Sequence, residues 1–268
     1  MTNLSTELGS QKELEKREQP RRFNGSLVSI AVLVTVFALW WTVTSGLGLV
    51  RELFFPSPES LFAALNVLNL RLLEDAFATL TRVLFSWIGG SALGVFVGLM
   101  MARSRLLMYA LNPLIEAVRP VPPVALIPFV ILWFGIGDSG KLFLGALACF
   151  MVMVVNTTVA VTNVPPVVIQ AARSLGASNS VVYRRVVFPS ILPEILSGFR
   201  IGSALAFAVV VAAEFLGADA GIGRLIMAAS RTLNTPVVLL GTIVIALMAV
   251  LLDQMILRVS RYLTRWAP

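Results

Sequence analysis

Apolar residues run in long blocks along this chain, separated by short polar or charged interruptions. Neither the alternation of a half-buried strand nor the single stripe of a surface helix describes them. About 20 mainly apolar residues cross the hydrocarbon core of a bilayer. Six segments meet that length: Leu27 to Leu47, Phe77 to Met101, Pro113 to Phe134, Leu142 to Val161, Ile195 to Leu216 and Pro236 to Leu257. The pattern predicts an all-α fold, a polytopic membrane helical bundle of about six transmembrane helices. It divides into a polar tail (residues 1–26), a first transmembrane helix (27–55), an amphipathic helix outside the membrane (56–70) and a core domain (71–268).

The basic residues orient the bundle. With the N-terminus inside, the inner flanks hold thirteen Lys and Arg: five between Lys12 and Arg22, then Arg103 and Arg105, then Arg173, Arg184 and Arg185, then Arg258, Arg261 and Arg265. The outer flanks hold five: Arg51, Arg71, Lys141, Arg224 and Arg231. This excess predicts N-in, C-in topology, with the tail a solvated cytoplasmic segment rather than a cleaved signal.

Three segments depart from plain spans. In Pro56-Ser57-Pro58-Glu59, Ser57 reads as a helix cap and Pro58 as the first helical residue. That helix is expected to reach about Asn69, with Leu61, Phe62, Leu65 and Leu68 facing the spans. The second span carries Gly90, Gly94 and Gly98, and the fifth Gly198 and Gly202, spacings that bare backbone for close helix packing. In the third, Arg119-Pro120-Val121-Pro122-Pro123 and Pro128 interrupt a helix that also holds Glu116. Broken backbone at membrane depth is tolerated where it lines a cavity or is buried in protein. A cavity wall and a kinked helix with Glu116 paired to Arg119 are both consistent with it.

Between the fourth and fifth blocks lies Val168-Ile169-Gln170-Ala171-Ala172-Arg173-Ser174-Leu175-Gly176-Ala177-Ser178, followed by Phe188-Pro189-Ser190-Ile191-Leu192-Pro193. A short helix of small residues, a glycine break and a second short helix closed by paired prolines make a rigid knob. Ala171, Ala172 and Gly176 would let a partner approach closely.

Composition narrows the chemistry. The chain is 57% hydrophobic and 13% charged, with mean hydropathy +0.88. Cys149 is the single cysteine and there is no histidine. A disulfide within the chain is therefore excluded, and the commonest general base and zinc ligand are missing. Neither catalysis nor a bound metal or other cofactor is expected of this chain. The net charge of +7 reads as membrane orientation, not nucleic-acid binding. Gly135-Ile136-Gly137-Asp138-Ser139-Gly140-Lys141 fits the opening of a phosphate-binding loop, but Leu142 stands where Ser or Thr should hold magnesium. It is expected to be an outer turn.

The knob resembles the EAA loop of binding-protein-dependent ABC importer permeases, whose pattern is Glu-Ala-Ala, a glycine, then a distal Leu-Pro. Gln170 departs from it, keeping size but losing charge. Pro113 to Glu116, Arg119 to Pro123, Leu132 to Gly137, and Ala212-Ala213-Glu214 with Gly221-Ile222-Gly223 look like the nitrate, sulfonate, taurine and bicarbonate group, with the knob text most similar to taurine members. The resemblance implies a coupling loop at 164–193, with cytoplasmic coupling helices and Gln170, Ala171, Ala172, Arg173, Gly176, Ala177, Pro189 and Pro193 at the ATPase contact. It implies a homodimer in a bacterial inner membrane, two ATP-binding ABC subunits that hold ATP and magnesium, and a soluble substrate-binding protein. The cargo would be a small anionic solute such as taurine or another sulfonate.

Glu214, Asn156, Arg119 and Glu116 are the candidate pathway residues, because ionisable groups at membrane depth face water or a partner. For Glu214, a structural pairing with a neighbouring span is the equal alternative. The competing class is an ion-coupled secondary transporter or channel, with Glu116, Arg119, Glu214 and Asp253 as coupling sites.

Overall fold

The computed structural model describes residues 25–266, so nearly all of the expected tail lies outside the described residues. The chain divides after Arg51 into two units. The first holds α1 (Gly25–Trp41), which runs on as a π-helical turn, Thr42–Gly46. The helical stretch Val28–Gly46 is long and apolar enough to cross a membrane. It stops short of the predicted boundary at residue 55.

The second unit opens with α2 (Pro58–Arg103). Ser57 caps it as expected, its hydroxyl accepting from Ser60 N–H at 3.2 Å, with Pro58 at the first helical position. Asn69 takes φ 38° and ψ −118°, breaking the helix at the predicted end of its outer part. The predicted packing face is not seen. Leu61 is buried, but Phe62 and Leu65 are exposed, because this segment meets the bundle through its N-terminal end, residues 56–58, and its later turns do not.

The third block is not one straight span, and it starts earlier than Pro113. Helix α3 (Arg105–Val118) contains Pro113. A 3₁₀ turn (Pro123–Leu126) then leads into α4 (Ile127–Phe134). The two arms meet at 83°. Pro120, Pro122 and Pro123 lack the N–H groups that would continue the ladder. By length and composition the described residues hold five single candidate spans, or six if the bent pair counts as one.

Helix α5 (Asp138–Thr162) packs along α2 through the predicted glycines. A Cβ on Gly94 would stand 2.7 Å from Met153 Cβ, and one on Gly98 2.8 Å from Thr157 Cβ. The knob follows as α6 (Pro166–Ser174), α7 (Asn179–Val182), a π-helical turn (Tyr183–Val187) and α8 (Phe188–Leu216). Here the paired prolines do not close a short helix. Pro189 lies in the first turn of α8 and Pro193 inside it. A first turn has no backbone partner for its N–H groups, so it tolerates proline. The wide turn before it, where Phe188 N–H bonds Tyr183 C=O, lets the chain pass continuously into the span.

A ten-residue helix that the hydrophobic blocks did not announce, α9 (Ile222–Arg231), precedes the last span, α10 (Thr235–Leu263). Among the described residues there is no strand. Val83, Trp87, Cys149, Ala206, Phe207 and Leu252 bring α2, α5, α8 and α10 into one core. Met153, Val164, Val182, Val187 and Ile191 seat the knob on the ends of α5 and α8.

Candidate functional site

Two of the four candidate pathway residues share one cavity. Arg119, at the bend between α3 and α4, and Asn156, on α5, line a space of about 350 Å³ whose walls include Met151, Val155, Ile201 and Leu205. Proline at the bend frees the chain from helical geometry and leaves Arg119 at its edge. The cavity thus presents a guanidinium and an amide on otherwise apolar walls. Glu116 Oε1 lies 3.7 Å from Arg119 Nη1, so the kink pairs these two and also borders a cavity. Both readings of the third block are realised together.

Glu214 is elsewhere. Its side chain has 0% exposure and accepts from Arg82 Nη1 at 2.6 Å, from the Thr79 hydroxyl at 2.9 Å and from Gly223 N–H at 2.9 Å. Arg82 also reaches Asp138 through Nε (2.8 Å) and the Ala220 carbonyl through Nη1 (2.7 Å). One turn before Thr79, Asp75 accepts from Gly221 N–H at 2.6 Å, and Ile222 N–H donates to Thr79 Oγ1 at 2.9 Å. The result is a closed brace holding α2, the start of α5, the end of α8 and the entry to α9. Of the two alternatives for Glu214, this arrangement is the structural pairing.

Arg82 was not among the residues that the sequence singled out. A second signal was available, since a cation and a carboxylate at membrane depth are each costly alone and are almost always paired. The other intramembrane charges obey the same rule. Arg200 grips Asp253 in a two-pronged contact, Nε to Oδ1 at 2.8 Å and Nη2 to Oδ2 at 2.9 Å, joining α8 to α10.

The phosphate-loop-like segment folds onto itself. Lys141 is buried, its Nζ donating to the carbonyls of Ile136 (2.8 Å) and Gly137 (3.3 Å) and lying 3.5 Å from Asp138. A lysine consumed by its own turn has no ammonium left for a phosphate.

The knob is built at Gly176, where φ is +80°. Gly176 N–H bonds the Arg173 carbonyl (2.9 Å) and Ala177 N–H the Ala172 carbonyl (3.1 Å). This is the Schellman ending, which needs a left-handed residue that glycine supplies without strain. Gln170, Ala171, Arg173 and Gly176 are exposed, whereas Ala172 and Ala177 pack against the chain's own core. Pro189 and Pro193 are half-buried at the base. At the tip Leu175 is 89% exposed, an apolar side chain offered outward. The sequence reading did not single it out.

This fold, with its short-helix knob between spans, matches a known family. The profile of the binding-protein-dependent transport system inner membrane component matches residues 90–265, and the chain belongs to that family. The taurine transport system permease protein TauC of Escherichia coli is 38% identical over 92% of this chain and 90% of its own length. The putative aliphatic sulfonates transport permease protein SsuC of the same organism is 34% identical over 85% and 88%. A chain of the inward-facing MetNI methionine ABC transporter shares the fold, with TM-score 0.57 and 21% identity over 72% of this chain and 96% of that one. The protein is thus a multi-pass permease subunit of an ABC importer in the bacterial inner membrane, not an enzyme. It works with ATP-binding subunits and a soluble substrate-binding protein.

Proposed function

We propose that this permease carries a small organic anion, taurine or a related sulfonate, through the cavity beside Arg119. The observation that carries the reading is that cavity, about 350 Å³ with one guanidinium, one amide and apolar walls. A sulfonate bears one delocalised negative charge over three acceptor oxygens, which a guanidinium fork fits. The contact between Glu116 and Arg119 is long at 3.7 Å and solvent-exposed on both sides, so donors on Arg119 stay free for cargo. Identity to TauC over most of both chains supports the same substrate class.

Two copies of the chain would each supply half of the pathway, with N- and C-termini in the cytoplasm as the basic flanks favour. Each knob would dock, through Leu175 and the exposed Gln170, Ala171, Arg173 and Gly176, into an ATPase subunit that binds ATP and magnesium. Nucleotide-driven closure of the ATPases then alternates access to the cavity. The ion-coupled reading loses its motivation, since Glu116, Glu214 and Asp253 each face an arginine.

The test is uptake of labelled taurine into proteoliposomes holding the permease, its ATPase and its binding protein. Arg119→Gln is expected to lower uptake of the sulfonate sharply while the complex still assembles. Undiminished taurine uptake by a folded Arg119→Gln complex would exclude this cavity as the anion path.

A further inference from the structure

A second cavity, also of about 350 Å³, lies beside the knob, bounded by Arg103, Val161, Ile169, Arg173, Asn179 and Tyr183. These residues come from the end of α2, the end of α5, and the helices on both sides of Gly176. Its charged lining groups are both cationic, Arg103 and Arg173. Arg103 stands 5.8 Å above the Tyr183 ring, and Arg173 Nη2 lies 3.5 Å from Asn179 Oδ1, leaving the Asn179 amide N–H₂ free to donate. The Tyr183 hydroxyl is buried and has no hydrogen-bond partner. Among the described residues neither arginine has a carboxylate within ion-pair distance, and no acidic side chain lines the space.

We infer that this pocket binds a phosphate-bearing anion, which clamps the knob to the ends of α2 and α5. Two guanidiniums and an amide can donate to the oxygens of one phosphate group, the arginines through the charge-assisted bonds that favour phosphate. The pocket lies where α2 and α5 end, and basic pockets at the ends of spans suit anionic lipid headgroups. The same chemistry admits a free phosphate compound. Because the ligand would touch Arg103 and Arg173 together, it would stiffen the joint between spans and knob. The inference rests on the pocket alone and not on the substrate proposed above.

The experiment uses the purified full chain without its ATPase, in two arms. One compares thermal stability in nanodiscs of phosphatidylcholine with and without phosphatidylglycerol. The other titrates pyrophosphate against the chain in neutral detergent. At least one arm is expected to stabilise the parent, and which one responds names the source as lipid or soluble. Arg103→Gln/Arg173→Gln is expected to weaken the responding ligand at least about tenfold, having lost both charge-assisted contacts. Arg184→Gln/Arg185→Gln, which removes equal charge outside the pocket, should bind like the parent. No response in either arm overturns the inference. So does equal weakening in the Arg184/Arg185 control, or binding of anions only once the ATPase is present, which would make the arginines a contact of that partner.

Discussion

The closed brace around Glu214 makes an ordered prediction. In Arg82→Gln the Glu214 carboxylate, with 0% side-chain exposure, keeps Thr79 and Gly223 as donors but loses its cation. Removing one partner of a buried ion pair costs about 3–5 kcal/mol, because the other charge stays buried. In Glu214→Gln the charge leaves instead. The amide can accept with one atom only, so one of three donors faces another donor, at about 1–3 kcal/mol. Arg82 meanwhile keeps Asp138 at 2.8 Å and Ala220 C=O at 2.7 Å. Arg82→Gln should therefore be worse than Glu214→Gln, and the double variant milder than the sum of the two, since no lone charge remains. At roughly 2–4 °C per kcal/mol, the unfolding midpoint should fall by about 6–20 °C for Arg82→Gln and about 2–12 °C for Glu214→Gln. Tryptophan fluorescence of the purified chain in detergent reads both. Asp138→Asn is the control, because Asp138 is largely exposed and exposed pairs contribute little. Additive single effects, or a greater loss in Glu214→Gln, would refute the closed-brace reasoning.

Gly94→Leu should prevent folding, since even its Cβ meets α5 backbone and Met153 at 2.7 Å, and size-exclusion of the expressed chain checks it. At Gly176 an added Cβ meets no atom within 4 Å, so the cost of Gly176→Leu is the left-handed backbone, about 1–2 kcal/mol, plus obstruction of any docked ATPase. Gly176→Asn, which tolerates that backbone, should therefore keep more of the co-purifying ATPase than Gly176→Leu, and equal retention would separate the glycine from docking. Lys141→Met should loosen the turn at Ile136 and lower thermal stability. The chain alone should hydrolyse no ATP with or without Lys141, which a phosphate-release assay measures.

Much of this architecture was legible because lipid leaves little choice: an apolar block of span length has to be a helix or it strands its backbone polar groups. The bend at Arg119 was legible for the same reason, through prolines that remove N–H groups. Pairings were not. Glu214 and Arg82 are separated by 132 positions, and sequence spacing cannot say which cation a buried carboxylate meets. Pro189 was misjudged because a first turn preceded by a wide turn accommodates proline, whereas Pro193 sits inside α8 and removes one N–H from it without ending it. Helix α9 was hidden because Gly221-Ile222-Gly223 reads as a loop, while its N–H groups in fact serve Asp75, Thr79 and Glu214. Ala172 was grouped with Ala171, yet adjacent helical residues point about 100° apart, which turns one outward and the other into the core.

The same elements connect the knob to the brace. Helix α8 runs 29 residues from the base of the knob to the residues around Glu214, about 44 Å at 1.5 Å per residue. Within it only Pro193 lacks the N–H its turn requires, and the π-helical turn precedes Phe188. Bending is therefore confined to the knob end, and the rest moves as a rod. Along that rod Gly198 lies so close to α5 that a Cβ would stand 2.9 Å from Asn156 Nδ2, and Ile201 and Leu205 on α8 line the Arg119 cavity together with Asn156. Any shift of α8 against α5 must change that cavity, because both helices line it. The brace pins the far end of α8 to α2 and α5, so under the coupling proposed above the knob end of α8 is the end left free to shift.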